Sequence, residues 1–130
     1  MALVTVDPES LARPRGYSHG VRGTGELLFV AGQVGWTREG RVASPDFVTQ
    51  FQRALENVIE VVGAAGGRPT DVARMVVYVT DKAEYLSRAR EVGEVWRAHM
   101  GRHYPAMVLV EVKALLDDEA KVEIEATAIL

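Results

Sequence analysis

The fold is decided by two segments, residues 26–34, which read ELLFVAGQV, and residues 72–80, which read VARMVVYVT. Both have the length and apolar content of buried strands, in which successive side chains point to opposite faces. Each predicted strand is apolar on both faces, and strands of that kind are buried on both sides. In the first, Leu27, Phe29 and Ala31 oppose Leu28, Val30 and Val34, and in the second, Met75, Val77 and Val79 oppose Val72, Val76 and Tyr78.

A long amphipathic helix is predicted between these strands, over residues 45–65, where apolar side chains recur at intervals of three and four. Ser44 is its predicted N-cap, and Pro45 suits the first helical position. Gly66 follows the last apolar position and is predicted to end the helix.

A second helix is predicted to begin at the D-x-x-E pattern of residues 81–84 and to end at Gly101. It places Trp96 on the apolar, core-facing stripe, whereas Arg88, Arg90, Arg97 and nearby glutamates indicate a solvated outer face. The remaining periodic segments are short strands over residues 3–6, 17–22, 107–114 and 121–130.

The element order β-β-β-α-β-α-β-β predicts a two-layer α/β (α+β) domain in which two helices cover one face of a mixed β-sheet. The second face is also apolar, and each Å² of it left in water costs about 25 cal/mol. Self-association through that face is the simplest solution. The alternative is a monomer whose sheet rolls up on itself.

Length and composition narrow the functional classes. The 130 residues suit a single domain, residues 1–130, and the absence of cysteine excludes disulfides and a cysteine nucleophile. Residues 1–6 lack the pattern of a signal peptide, and no apolar run is long enough to span a bilayer, so a cytoplasmic protein without membrane contact is expected. The net charge of −3 offers no general attraction to nucleic acid, which is therefore not an expected partner.

Few residues are candidates for catalysis, metal binding or ligand binding. Glu123 and Glu125 share one side of the last strand, where they either serve a site or form a solvated face. The spacing of His19, His99 and His103 matches no metal-binding pattern, so no metal site is expected. Trp36 follows a strand and is predicted to line a cleft.

Several motifs, in the same order and at similar spacing, resemble the RidA/YjgF family, also called endoribonuclease L-PSP or reactive intermediate deaminases. The resemblance spans nearly the whole chain. The motifs are YSHG at residues 17–20, LFVAGQ at 28–33, ALEN at 54–57, AAGG at 64–67, YPA at 104–106 and VEIEA at 122–126.

That resemblance implies a chorismate mutase-like fold and a homotrimer, with a central β-barrel and small-molecule clefts between subunits. In the deaminase branch, such a cleft hydrolyses enamines and imines to keto acids and ammonia without a cofactor. Glu123 matches the family glutamate that positions the attacking water. The implied ligand-binding residues are Tyr17, Ala31, Gly32, Met107 and Leu109, together with Trp36 on the cleft-lining interpretation.

The implied site departs from the family at three positions. Met107 stands where the deaminase branch has the arginine that holds the substrate carboxylate, and methionine cannot donate a hydrogen bond to a carboxylate. Leu109 replaces a cysteine, and Ala89 replaces the asparagine of the second helix. A more apolar cleft without its carboxylate clamp is expected, unless Arg22 or Arg102 of a neighbouring subunit supplies another guanidinium.

Two functions therefore stay open. The first is a divergent, cofactor-independent imine hydrolase in which Glu123 orients water, with an imine or a keto acid as ligand. The alternative is a non-catalytic trimer that binds or senses a small apolar molecule. Ribonuclease activity is disfavoured, because the chain is acidic and has no basic stripe.

Overall fold

A computed structural model describes residues 2–130, so that Met1 lies outside the described residues. It confirms the predicted two-layer arrangement of helices on a mixed sheet. The strands are β1 (Val4–Val6), β2 (Gly20–Arg22), β3 (Leu27–Val34), β4 (Val72–Val79), β5 (Ala106–Glu111) and β6 (Val122–Ile129). The α-helices are α1 (Phe47–Ala64), α2 (Lys82–Ser87) and α3 (Ala89–Met100), and a 3₁₀ turn over Pro69–Asp71 precedes β4.

The main sheet has four strands in the order β3-β6-β4-β5. β6 runs antiparallel to both of its neighbours, whereas β4 and β5 are parallel and are connected through α2 and α3. β1 and β2 form a separate antiparallel pair. The parallel pairing of β4 with β5 brings the residues that follow the YPA motif to one edge of the sheet, directly under the two short helices.

The core lies between α1, α3 and the inner face of the sheet. Phe47, Leu55 and Val58 of α1 are almost fully buried against Met75 and Ile124 of the sheet. The apolar side chains that recur every 3.6 residues along α1 therefore pack against those that recur every two residues along the strands. No helix among residues 2–130 is long and apolar enough to cross a membrane.

The first helix starts later than predicted. Its N-cap is Asp46, not Ser44, and Asp46 accepts hydrogen bonds from the backbone and the side chain of Thr49. Ser44 instead accepts a hydrogen bond from the Asp46 backbone N–H, so that Pro45 precedes the helix. A carboxylate is at least as good a cap as a hydroxyl, which explains the shift. The end near Gly66 is confirmed, since Gly66 has a φ of +87°.

The second predicted helix is two helices. Asp81 caps α2 and accepts from the Glu84 N–H, which confirms the predicted start. The chain then leaves helical geometry at Arg88, whose φ is −110° and ψ is 14°. The Arg88 guanidinium binds Asp46 at 3.1 Å and Glu91 at 2.7 Å, which ties this break to the start of α1.

The open face of the sheet is apolar, as predicted for β3. Phe29 is 75% exposed and Leu27 is 57% exposed, while Val30 on the covered face is 4% exposed. The prediction is wrong for Val72, which lies in the core because a register shift between Val72 and Arg74 turns the strand.

Candidate active site

The candidate site is a cavity of about 300 Å³ between the sheet edge and the two short helices. It is lined mainly by apolar and aromatic side chains, as small-molecule sites are. The lining includes Tyr85, Ala89, Trp96, Tyr104, Met107 and Leu109. The cavity therefore contains all three positions at which the sequence departs from the deaminase pattern.

Strand register explains why Met107 and Leu109 point into this cavity. Met107 pairs with Met75 and Leu109 pairs with Val77, and both partners belong to the covered face. Because β5 is an edge strand, the helices cover these two side chains only in part and leave them half-buried. The apolar wall of the cavity therefore consists of side chains at the edge of the core that the helices do not fully cover.

Aromatic packing forms another wall. Trp96 and Tyr104 stack with ring centroids 6.2 Å apart and planes 7° from parallel. The Trp96 Nε1–H donates to the His103 carbonyl at 3.1 Å, and the Ser18 hydroxyl donates to the Tyr104 carbonyl at 2.6 Å. Trp96 is 6% exposed, which confirms its predicted place on the core stripe. These bonds hold the loop before β5 in a defined position.

Tyr17 lies close to the same strand, on its other side. A shallow depression is lined by Tyr17, His19, Arg74 and Met107. The Tyr17 and His19 rings meet edge to face with centroids 5.4 Å apart. Tyr17 and Met107 therefore line the same depression.

Glu123 and Gly32 form a second group, on the open face of the sheet. Glu123 alternates with the buried Val122 and Ile124, so its side chain points away from the helices. The carboxylate of Glu123 lies over Gly32, where a Cβ atom would collide with Oε2. A bulge between Val30 and Gln33 interrupts the β3–β6 pairing at this point.

This bulge bends β3 beside the carboxylate. Ala31, which belongs to the bulge, is exposed. Its carbonyl oxygen accepts a hydrogen bond from the Gln33 side chain at 3.1 Å. Ala31 and Gly32 thus lie with Glu123, whereas Met107 and Leu109 lie on the opposite face of the same sheet.

A second carboxylate on the open face has a partner. Glu125 accepts a short hydrogen bond from the Tyr78 hydroxyl. That bond, together with burial and the charges of Glu125 and Glu123, raises the pKa of Tyr78 above its usual value. Glu123 pairs with Tyr78 across the strands but has no such phenol partner among residues 2–130.

Trp36 joins neither group. Its indole lies in a separate open groove of about 680 Å³ with Arg53 and Asn57. The Asn57 amide donates to the Trp36 carbonyl at 3.2 Å, which fixes the loop after β3. Another depression of about 670 Å³ lies beside residues 113–121. Both are larger than the cavity under the helices, but neither includes Met107, Leu109 or Glu123.

Each histidine ring has a hydrogen-bond partner within the chain. His103 Nε2 lies 2.6 Å from the Val72 carbonyl, and His99 Nε2 lies 3.1 Å from a Glu56 carboxylate oxygen. His19 Nε2 lies 2.6 Å from the Ala12 carbonyl. Within residues 2–130, no three histidine, aspartate or glutamate side chains are grouped as metal ligands.

One lining residue was not anticipated. The sequence predicts Arg97 on the solvated face of the second helix; its side chain is exposed, as predicted, and it also borders the cavity. The signal for this placement is Gly93, one helical turn earlier. Without a Cβ at that position, the guanidinium can lie against the helix.

Comparison with known proteins gives one consistent result. The sequence model of the endoribonuclease L-PSP family matches residues 8–130. A RutC family protein of Pyrococcus abyssi is 32% identical over 130 residues, covering 98% of each chain. The 2-iminobutanoate/2-iminopropanoate deaminase of Salmonella typhimurium is 31% identical over 81% of this chain and 80% of its own. The crystal structure of YyfB, a Rid-family protein of Yersinia pestis, superposes with a TM-score of 0.90 at 32% identity and full coverage of both chains.

Proposed function

Because the chain belongs to the endoribonuclease L-PSP (RidA/YjgF) family, we propose that it is a divergent imine and enamine hydrolase whose site forms between subunits of a homotrimer. The observation that carries this proposal is the convergence of Ala89, Met107 and Leu109 on one cavity. Ala89 begins α3, and Met107 and Leu109 lie on β5, the next element of the chain. A deaminase at 31% identity supports the reaction class.

The two halves of the proposed site lie on opposite faces of one sheet. Met107 and Leu109 face the helices, whereas Glu123 and Gly32 face the open side. One subunit therefore does not close the site around a small ligand. The exposed apolar residues of the open face support such an assembly, in which Glu123 of a neighbouring subunit would reach the cavity at the edge strand β5.

The proposed chemistry needs only water and a carboxylate. Water adds to the carbon of the C=N bond while Glu123 orients it and accepts its proton. Glu123 passes this proton to the nitrogen, which gives a neutral carbinolamine. The hydroxyl proton is then transferred to the nitrogen as the C–N bond breaks, and the products are a carbonyl compound and ammonia. In the enamine case, the carbon–carbon double bond is first protonated to give the imine.

The apolar lining favours a second candidate, a trimer that binds a small molecule without turnover. Met107 and Leu109 offer contact area but no hydrogen-bond donor to a substrate carboxylate. A ligand would then be held chiefly by burial of its apolar surface, with a few polar groups fixing its orientation.

The test of the proposed function is an imine-hydrolysis assay on the wild type, Glu123→Gln and Met107→Arg. Imines are generated in situ from several amino acids and from one amine without a carboxylate. We expect wild-type turnover that falls at least a hundredfold in Glu123→Gln, the loss typical of removing a general base. The matched control is Glu125→Gln, on the same strand and face, whose amide oxygen still accepts from Tyr78; it should keep its activity.

Absence of turnover in the wild type on every imine would overturn the enzymatic proposal. Activity that appears only in Met107→Arg would then identify a scaffold that has lost the reaction. Ligand-dependent thermal stabilisation of such an inactive wild type would favour the binding protein.

A further inference from the structure

The cavity under α2 and α3 contains one cationic side chain, Arg97, among mostly apolar neighbours. The guanidinium of Arg97 makes no ion pair within residues 2–130, in contrast to the other two arginines of this region. Arg88 binds Asp46 and Glu91, and Arg90 binds Glu94. An arginine that lines an apolar cavity and lacks an acidic partner has its fork of donors available to a ligand.

Gly93 explains how the guanidinium comes to lie there. A Cβ built on Gly93 would meet Arg97 Nη1 at 3.2 Å and Cζ at 3.9 Å, so the planar group lies along the helix over this glycine. Glycine inside a helix is less favourable than alanine, so its presence at this position is consistent with the close approach of the guanidinium. Attraction to the helix dipole accounts for a cation in the last turn of α3, whereas the contact with Gly93 accounts for the position of the guanidinium at the cavity.

We propose that Arg97 is the anion-binding residue of this cavity and that its ligand is an organic acid with an apolar body. The carboxylate binds the Arg97 guanidinium at the cavity mouth, and the apolar part packs against Met107 and Leu109. Arg97 thus selects among the substrates of the proposed hydrolase, so this inference rests on that function for its biological meaning. Its binding test does not depend on turnover.

Geometry and charge support an acid over a neutral ligand. The guanidinium presents parallel N–H groups that match the two oxygens of a carboxylate. Met107 and Leu109 make this part of the cavity wall apolar, which disfavours a ligand that is polar throughout. A volume of about 300 Å³ accommodates a branched or aromatic 2-keto acid.

The test uses calorimetric titration of the full chain with 4-methyl-2-oxopentanoate and with its methyl ester, which has the same body but no charge. Wild type should bind the acid about tenfold more tightly than the ester, the range of one charge-assisted contact at a partly solvated site. Arg97→Met should remove this preference by weakening the acid about tenfold and leaving the ester unchanged. Arg97→Lys should keep part of the preference, because it retains the charge but not the fork.

The matched control is Arg90→Met, on the same helix, whose side chain is 93% exposed and bound to Glu94; it should bind like wild type. Circular dichroism should show the same melting transition for all three variants, since the substituted side chains are exposed. Equal binding of acid and ester to the wild type, or a preference that persists in Arg97→Met, would overturn the inference, as would failure of both probes to bind. Acid binding through Arg97 without imine turnover would sustain the inference while the hydrolase proposal fails.

Discussion

On β6, Ile124 is fully buried under the helices, while its neighbours Glu123 and Glu125 face the open side with partly exposed side chains. The same alternation separates Val30, which is 4% exposed, from Phe29, which is 75% exposed, on β3. The covered face is complete within one chain. The open face combines large apolar side chains with carboxylates, and such a surface calls for a partner.

This difference shows how the fold produces a site. The covered face supplies rigidity and, at its edge strand, an apolar cavity. The open face supplies the carboxylate that the proposed reaction needs. On the proposed function, a site assembled from both faces requires more than one copy of the chain, which would link catalysis to assembly.

The largest effect is expected from a charge on the open face. Phe29→Asp should dissociate the proposed trimer, because each of the three interfaces would bury an unpaired carboxylate at a cost of several kcal/mol. Light scattering should then give the mass of a single chain, 14.2 kDa. Leu86→Asp is the matched control, since Leu86 is 61% exposed on α2 and away from the sheet. A wild type that already has the single-chain mass would remove the basis of the linkage between assembly and the site.

The covered face should respond through stability instead. Ile124→Ala should lower the free energy of unfolding by about 3 kcal/mol, since it leaves a cavity at a fully buried position. Denaturant unfolding at one fixed protein concentration measures this change. Leu86→Ala should stay within about 0.5 kcal/mol of wild type. A small loss at Ile124 would show that the helix layer is loosely packed and that the two faces are less distinct than the burial indicates.

Much of the fold was predictable because the periodic signal is strong where burial is complete. The bounds of β3, β4 and α1 differ from the sequence prediction by at most two residues at either end. The break between α2 and α3 was missed, since Arg88 is neither glycine nor proline and the break depends on its contacts with Asp46 and Glu91. Long-range ion pairs of this kind leave no periodic trace in a sequence.

The candidate site was predictable in part, for a different reason. Motif positions indicated Met107, Leu109 and Glu123, but the sequence alone did not reveal that they lie on opposite faces of one sheet. The parallel β4–β5 register, which turns Met107 toward the helices, is a property of the folded topology. Helical periodicity correctly assigns Arg97 to the exposed side of α3, but it does not show that the side chain borders the cavity; Gly93, one turn earlier, is the signal for that placement.

Removing a buried polar contact tests whether the stability of the covered layer depends on apolar packing alone. Gln50 is fully buried in α1, and its amide donates to the Ser44 and Glu119 carbonyls and accepts from the Lys121 N–H. Gln50→Leu should cost about 2 kcal/mol, because it leaves these backbone groups without partners while preserving the apolar volume. Thermal unfolding beside Gln52→Leu, an exposed position on the same helix, measures the difference. Equal melting temperatures would mean that water replaces the lost bonds.

The smallest effect is expected at Asp46, where the covered layer begins. Hydrogen bonds from the Thr49 backbone and side chain, together with Arg88, lower the pKa of Asp46 below its usual value. A carboxyl whose pKa is lower in the folded protein stabilises it above the unfolded pKa, near 3.8, and loses this contribution as pH falls through the folded pKa. Asp46→Ala should cost about 1 kcal/mol at neutral pH, the usual contribution of an N-cap.

Asp46→Asn separates the charge from the cap, because asparagine also caps helices well. Its stability should lie between wild type and Asp46→Ala at neutral pH, and its deficit relative to wild type should shrink as the pH is lowered below about 4. Thermal melts across this range measure the deficit, with Asp118→Asn in an exposed turn as the control. A deficit that stays constant down to the lowest pH would show that Arg88 and Thr49 hold Asp46 by geometry and not by its charge. The contact between the start of α1 and the helix break at Arg88 would then be insensitive to acid.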